Sequence, residues 1–400
     1  MAEVKHIPAI RFKGFSDEWE NRKLKEIAES FEYGLNAAAI EFDGINKYIR
    51  ITDIDDQTHQ FKKNALTSPD ADLIFADNYM LKEGDILFAR TGASVGKTYN
   101  YRDSDGLVYF AGFLIRARIK SEFNTEFIFQ STLTSAFNKF ISITSQRSGQ
   151  PGINAQEYSE FNVKVPNFKE QQKVGRYFQH LDKLISLHQA KVNKLVNLKK
   201  AMLEKMFPKS GAEVPEIRFK GFEGAWGEKE LSDVVKIKMG QSPNGINYTN
   251  NPDDHILVQG NADMKNGMVV PRAWTKQVTK KADAGDLIMS VRAPVGELGK
   301  TSFDVVIGRG VAAIKGNEFV FQLLKKMNEN GYWKRFSAGS TFDSINSNEL
   351  SKAVISVTNI DEQEKIGTYF QSLDKLVNLH QTELDKLDNL KKACLEKMFV

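Results

Sequence analysis

The stretch Gly92-Ala93-Ser94-Val95-Gly96-Lys97-Thr98 carries the residue types of a phosphate-binding loop. Such a loop needs four residues between its first glycine and the Gly-Lys pair, and three stand here. A related stretch ends in Gly299-Lys300-Thr301, where Pro294 occupies the place a glycine would need. A turn following a strand explains both, and a turn bearing Arg90, Ser94 and Lys97 still suits phosphate contacts. The histidines His6, His59, His180, His188, His255 and His380 are scattered, without metal-ligand spacing. Asn251-Pro252-Asp253-Asp254 is not the Asn/Asp-Pro-Pro-aromatic tetrapeptide of an adenine methyltransferase, and no glycine-rich S-adenosylmethionine loop is present. The carboxylates do not cluster as in a nuclease, so no catalytic residue and no metal ligand is assigned.

The better chemical signal is a set of polar and basic loops with interleaved aromatics. The first half of the chain offers Lys47, Arg50, Arg90, Ser94, Lys97, Tyr99, Gln146, Arg147 and Gln150. The second offers Lys238, Gln241, Ser242, Asn244, Arg292, Arg309, Ser340 and Thr341. Arg, Gln and Asn side chains match guanine and adenine edges, whereas Lys and Ser mostly position a nucleic-acid backbone. Any one of these is more simply a surface group; their recurrence at corresponding places in both halves strengthens the functional reading, with double-stranded DNA as the candidate partner.

Two duplicated segments must position those loops. Glu170–Phe207, EQQKVGRYFQHLDKLISLHQAKVNKLVNLKKAMLEKMF, returns without a gap as Glu362–Phe399, EQEKIGTYFQSLDKLVNLHQTELDKLDNLKKACLEKMF. An apolar row recurs every seven residues through Leu181, His188, Leu195 and Met202, flanked by Leu184 and Leu198. It recurs again through Leu373, His380, Leu387 and Cys394, flanked by Leu376 and Leu390. This predicts a helix-pairing seam in which the histidines fix register. Each helix can run about 35 residues, on the order of 50 Å. The second duplication is an entry block, IPAIRFKGFSDEWENRKL, returning from Val214 as VPEIRFKGFEGAWGEKEL. The linear order is thus entry block, variable domain, long helix, twice over. Pro208–Ala212 ends the first helix, and the second must run back antiparallel if the seams meet.

The variable segments, about 20–168 and 227–360, mix β-like runs with turns and read as compact α+β units. Four hundred residues, 41% hydrophobic and 26% charged, suffice for two cores. Net charge +4 is only weakly basic and permits a DNA partner without diagnosing one. No apolar run reaches membrane-spanning length and no signal peptide opens the chain, so a cytoplasmic protein with no membrane association is expected. The single cysteine, Cys394, reads as a small seam residue and excludes a disulfide framework.

The whole pattern resembles the specificity subunit of type I restriction-modification systems. The carriers are Pro8, Arg11, Phe12, Gly14, Phe15 and Trp19 with their second copy, the Gly240-Gln241-Ser242-Pro243 turn, and a twice-used order of Ile-Asn, hydrophobic strand and Glu-Gln. That order reads Ile153-Asn154, Val163–Pro166, Glu170-Gln171, then Ile345-Asn346, Val354–Val357, Glu362-Gln363. The first half departs in having Gly34-Leu35-Asn36 where the second has Gly240-Gln241-Ser242-Pro243.

The resemblance implies an α+β fold: two globular target-recognition domains separated by two long antiparallel coiled-coil helices, with an internal pseudo-twofold repeat. The expected division is a first recognition domain over 1–168, a first spacer helix over 169–207 and a linker over 208–213. A second recognition domain over 214–360 and a second spacer helix over 361–400 follow. Each domain would read one half of a bipartite DNA site, with the helices setting the spacer. Two modification (methyltransferase) subunits are implied as partners, with restriction (translocase/nuclease) subunits in the full complex. No cofactor is expected on this chain; S-adenosylmethionine, ATP and Mg belong to those partners. The alternatives are a self-sufficient restriction-modification polypeptide, disfavoured by the missing motifs, and a helical adaptor that binds no DNA.

Overall fold

The computed structural model describes residues 6–336 and 344–400. The chain forms two compact units, one from residues 1–190 with 380–400, the other from 191–379. Each unit therefore takes part of both long helices, Phe168–Met206 and Ile360–Met398.

In the first unit the strand Glu20–Lys23 pairs antiparallel with Asn162–Val165 and delivers the chain to a four-stranded antiparallel sheet. Its order is Ala28–Tyr33, Leu114–Ile119, Asp85–Ala89, Thr98–Asn100. Every residue of Asp85–Ala89 is buried, because both faces of the strand are covered. Ile86 and Phe88 point with Ile115 and Ala117 into a core shared with Phe127 and Phe137 of two helices, Thr125–Ser131 and Ser135–Thr144. Leu87 and Ala89 alternate to the other face, into a core with Ile49, Tyr99 and Phe110. A parallel pair, Lys47–Ile49 with Val108–Phe110, closes that side.

The second unit repeats the plan with different residues. Gly227–Glu230 pairs with Val354–Val357. Lys236–Met239, Val311–Lys315, Leu287–Ser290 and Leu298–Lys300 make the corresponding strands, extended by Met268–Val269 and Met264–Lys265. Leu257 and Val258 pair in parallel with Val306 and Ile307, as Lys47–Ile49 does with Val108–Phe110. Both units are α+β, and the shared topology extends through interiors whose sequences hardly align.

Within each unit the helices pack antiparallel. In the first, Lys391 Nζ lies 2.6 Å from Asp182 Oδ1, and the Nδ1 atoms of His188 and His380 are 3.3 Å apart. In the second, Lys199 Nζ lies 2.6 Å from Asp374 Oδ1. The buried seam keeps the expected Leu181, Leu373 and Cys394, with Leu195, Met202 and Leu387 partly buried. The flanking residues require correction: Leu184, Leu198, Leu376 and Leu390 are 43%, 39%, 44% and 45% exposed. A paired helix alternates steps of three and four, and the step from Leu181 is four. The companion row is therefore Ile185, Val192, Lys199 and Met206, with Leu384, Lys391 and Met398 among its second-copy counterparts.

The entry blocks act as straps across the helix starts. Arg11 clamps Glu170 through Nε–Oε1 at 2.7 Å and Nη2–Oε2 at 2.8 Å, and Arg218 clamps Glu362 at 2.6 and 2.8 Å. Phe12 meets Tyr177 edge-on, and Phe219 meets Tyr369 likewise. Trp19 packs on Phe127 and Phe399; Trp226 packs on Phe319 and Phe207.

A second attachment joins each globular part to its helices. Gln130, fully buried, donates to Glu126 Oε1 at 2.9 Å and to Asp182 Oδ2 at 2.8 Å. Gln322 donates to Glu318 Oε1 at 3.0 Å and to Asp374 Oδ2 at 2.8 Å. Gly175 and Gly367 allow this approach: a Cβ would sit 2.4 Å from Asn124 Oδ1 and 2.9 Å from Glu318 Cβ, respectively.

Candidate nucleic-acid interface

The same backbone junction is built at one edge of each sheet. In the first unit Gly34 N donates to Leu114 O, Leu35 N to Phe110 O and Gly112 N to Leu35 O, at 3.2, 2.8 and 2.8 Å. In the second, Gly240 N donates to Val311 O at 3.0 Å and Gln241 N to Ile307 O at 2.9 Å. A Cβ on Gly34 would fall 2.2 Å from Ala111 O, and one on Gly240 2.1 Å from Gly308 O. Close approach of two backbones makes both positions glycine. The end of the central strand joins the junction through Arg90 N to Phe113 O and Val291 N to Gly310 O. The segments before Asn154 and Asn346 join through Ile153 N to Arg90 O and Ile345 N to Val291 O. Gly34-Leu35-Asn36 and Gly240-Gln241-Ser242 are thus one turn carrying different side chains.

Several of the candidate residues converge on these junctions. The Arg90 guanidinium lies 4.8 Å above the Tyr33 ring, with Nη1 3.4 Å from Gly112 O. Ser94 sits half-buried in the turn Gly92–Ser94, and Gln150 covers Gly92, from which a Cβ would be 2.9 Å from its Nε2. Gln146 and Arg147 are exposed on the adjoining loop; Arg147 Nη2 contacts the Glu157 carboxylate at 2.5 and 2.7 Å. At the second junction Gln241, Asn244, Arg292 and Arg309 are exposed. Ser242 Oγ accepts from Arg309 N at 3.1 Å, which fixes the two loops together. Arg292 forms a β-bridge with Ser344.

Other candidates are placed elsewhere. Lys47 donates to Asp105 O, Arg50 pairs with Asp53 at 2.8 Å, and Lys97, 10% exposed, is held by Asp56 and by Ile54 O. Arg50 and Lys97 brace the loop around Ile49–Asp56, and Lys47 ties its strand to the turn Asp103–Asp105. Tyr99 requires correction: it is 1% exposed and donates to Asp105 Oδ2 at 2.7 Å. The basic loop ends before it, because Thr98–Asn100 is a strand whose middle residue faces the core, and burial pushes its phenol pKa up. Lys238 donates to Lys281 O at 2.8 Å on the strand leading to Gly240. Ser340 and Thr341 lie outside the described residues.

Sequence reasoning passed over the apolar residues beside these junctions. Leu73 and Ala76 pack in the cluster that holds Leu35, Ala37 and Ala111, leaving Ile74 and Phe75 between them 79% and 83% exposed. Ile246, 87% exposed, follows the Gly240 turn, and Phe113, 62% exposed, caps the first junction. The available signal was an apolar run without alternation, Leu73-Ile74-Phe75, set among Asp70, Asp72 and Asp77. Among the described residues no three or more His, Cys, Asp or Glu side chains group to hold a metal ion, and no helix is long and apolar enough to cross a membrane.

Comparison with known proteins agrees with this repeated architecture. The chain is 28% identical over 398 residues to the putative type I restriction enzyme MjaX specificity subunit of Methanocaldococcus jannaschii, spanning 95% of this chain and 92% of that protein. The MjaVIII specificity subunit of the same organism matches at 18% over 342 residues, 79% of this chain and 78% of that one. The type I restriction-modification S subunit of M. genitalium has the same fold, with a TM-score of 0.72 over 98% of this chain and 99% of that one at 13% identity. The family model described as the type I restriction modification DNA specificity domain matches residues 16–197 and again 223–389, one match in each half, and the chain belongs to that family.

Proposed function

We propose that the two junctions are the two readers of a bipartite DNA site. The observation that carries this reading is one backbone junction, built twice, bearing unlike side chains: Leu35, Arg90 and Phe113 on the first, Gln241, Arg292 and Arg309 on the second. Arg and Gln supply the bidentate donors that distinguish guanine and adenine in the major groove. Ile74, Phe75 and Ile246 add apolar contact of the kind that selects a thymine methyl. Ser94 and Ser242 suit phosphates.

The helices act in this reading as the spacer between half-sites. At on the order of 50 Å they hold the half-site centres roughly one to one and a half duplex turns apart, at about 34–36 Å per turn. Leu184, Leu187 and Leu390 in the first unit, and Leu198, Leu376 and Leu379 in the second, are exposed on the helices and offer apolar footing for partner subunits. Two modification subunits bring S-adenosylmethionine, and restriction subunits bring ATP and Mg, in the cytoplasm. Exchanging residues 20–168 for the first domain of another family member, then mapping methylated adenines in cells that express the partners, tests the reading. One altered half-site is the expected result; both altered, or neither, refutes it.

A further inference from the structure

The histidine pair at the helix seam has a geometry that register alone does not call for. His188 and His380 are the same residue of the two helix copies, and the antiparallel packing sets each against the other. Their Nδ1 atoms are 3.3 Å apart, the ring centroids 5.2 Å apart, and the planes inclined at 70°. Two imidazole nitrogens bound at 2.0–2.1 Å to one tetrahedral ion lie about 3.3–3.4 Å apart. With each ring centre roughly 1.1 Å behind its nitrogen, the centroids then come to about 5.2 Å. A straight N–H···N bond at the same nitrogen separation would put them at roughly 5.5 Å. The spacing thus matches that of two nitrogens sharing one ion beside the seam.

A third donor stands close by. Glu383 lies three residues beyond His380, on the same helix face. Its present partner is Lys386 Nζ at 2.9 Å, an exposed ion pair of the kind that contributes little and is readily exchanged. No group of three donors is already assembled among the described residues, so Glu383 has to rotate to join.

We infer that His188 and His380 chelate a borderline divalent cation of the zinc class, with Glu383 as third ligand and water in the fourth position. Neutral imidazole and carboxylate donors in a tetrahedral set suit that class over magnesium or calcium, which take oxygen ligands. The ion ties the two helices together at the histidine pair, and because it binds only the folded pairing it stabilises the folded chain. This inference is independent of how the junctions read DNA.

The test uses the full chain, freed of metal by a chelator and titrated with Zn(II) by calorimetry and with Co(II) by visible absorption. One equivalent with a tetrahedral Co(II) spectrum is expected. His188→Ala and His380→Ala should each weaken binding by at least the roughly 100-fold that marks loss of strong supporting contacts, and Glu383→Gln by roughly tenfold. His188→Gln and His380→Gln keep a polar seam and repeat the measurement should either alanine variant unfold, as circular dichroism will reveal. No binding by the wild-type chain, or equal binding by all the variants, overturns the inference and leaves the histidines a hydrogen-bonded pair.

Discussion

Replacing Glu170 by alanine isolates the strap that each entry block throws over its helix. Glu170 is 0% exposed and Arg11 10%, and the two are joined by a pair of parallel bonds at 2.7 and 2.8 Å. Removing the carboxylate leaves a largely desolvated guanidinium with only the weaker influence of Asp17 as counter-charge, a loss of about 3–5 kcal/mol when such a pair is broken from one side. With a urea slope of about 2–3 kcal/mol/M, the first unit should unfold at a midpoint lower by roughly 1–2.5 M. The second unit keeps Arg218 on Glu362 and serves as an internal reference. Hydrogen exchange with mass spectrometry along a urea series reads peptides of the two units separately. The double variant Arg11→Met/Glu170→Met, which removes both charges and fills similar volume, should recover most of the loss. A midpoint that stays put in Glu170→Ala, or a double variant as unstable as the single one, would refute a desolvated clamp.

Three further outcomes are expected. Burial raises the Glu126 carboxyl pKa, only partly opposed by Arg102 and Gln130. Its folded-state pKa therefore exceeds the unfolded value, and first-unit stability falls as pH climbs from the ordinary carboxyl range through the folded pKa. Glu126→Gln should flatten that fall in thermal melts from pH 4 to 8, and an unchanged slope would assign it to other groups. Gly240→Ala drives a Cβ to within 2.1 Å of a backbone oxygen, so the second junction must open. Competition binding with the partner subunits present should then show discrimination lost at one half-site and kept at the other. Finally, inserting one heptad into Lys183–Lys199 and the same heptad into Lys375–Lys391 lengthens the helices by about 10 Å. The unread gap in methylation maps should grow by roughly three base pairs, and an unchanged gap would end the spacer proposal.

The duplications made the long helices and the order of elements legible, because a gapless repeat with a seven-residue apolar row has few other physical solutions. The companion row was legible too: Ile185, Val192 and Met206 are apolar where Lys191 and Lys205 interrupt the row through Leu184 and Leu198. The buried attachment also carried an unread sign. Glu126-Phe127-Ile128-Phe129-Gln130 returns as Glu318-Phe319-Val320-Phe321-Gln322, at the helices' own separation in sequence. Tyr99 shows what periodicity misses in a three-residue strand, where one residue decides which face is core. The junctions were hardest to read. Gly34 and Gly240 are equivalent through carbonyls supplied by Ala111 and Gly308, remote in sequence and unlike in type.

The Gln130 and Gln322 attachments bear on how such a protein can change. Both belong to short segments that the two halves share, as do Arg11, Trp19, Glu170 and Asp182 with their counterparts. The side chains that differ at the junctions lie between those anchors and touch none of the bonds that seat a domain on its helices. A new loop can therefore be tried by substitution or recombination without renegotiating the mount beneath it. Stability and the side chains that the junctions present are, in this chain, separately adjustable.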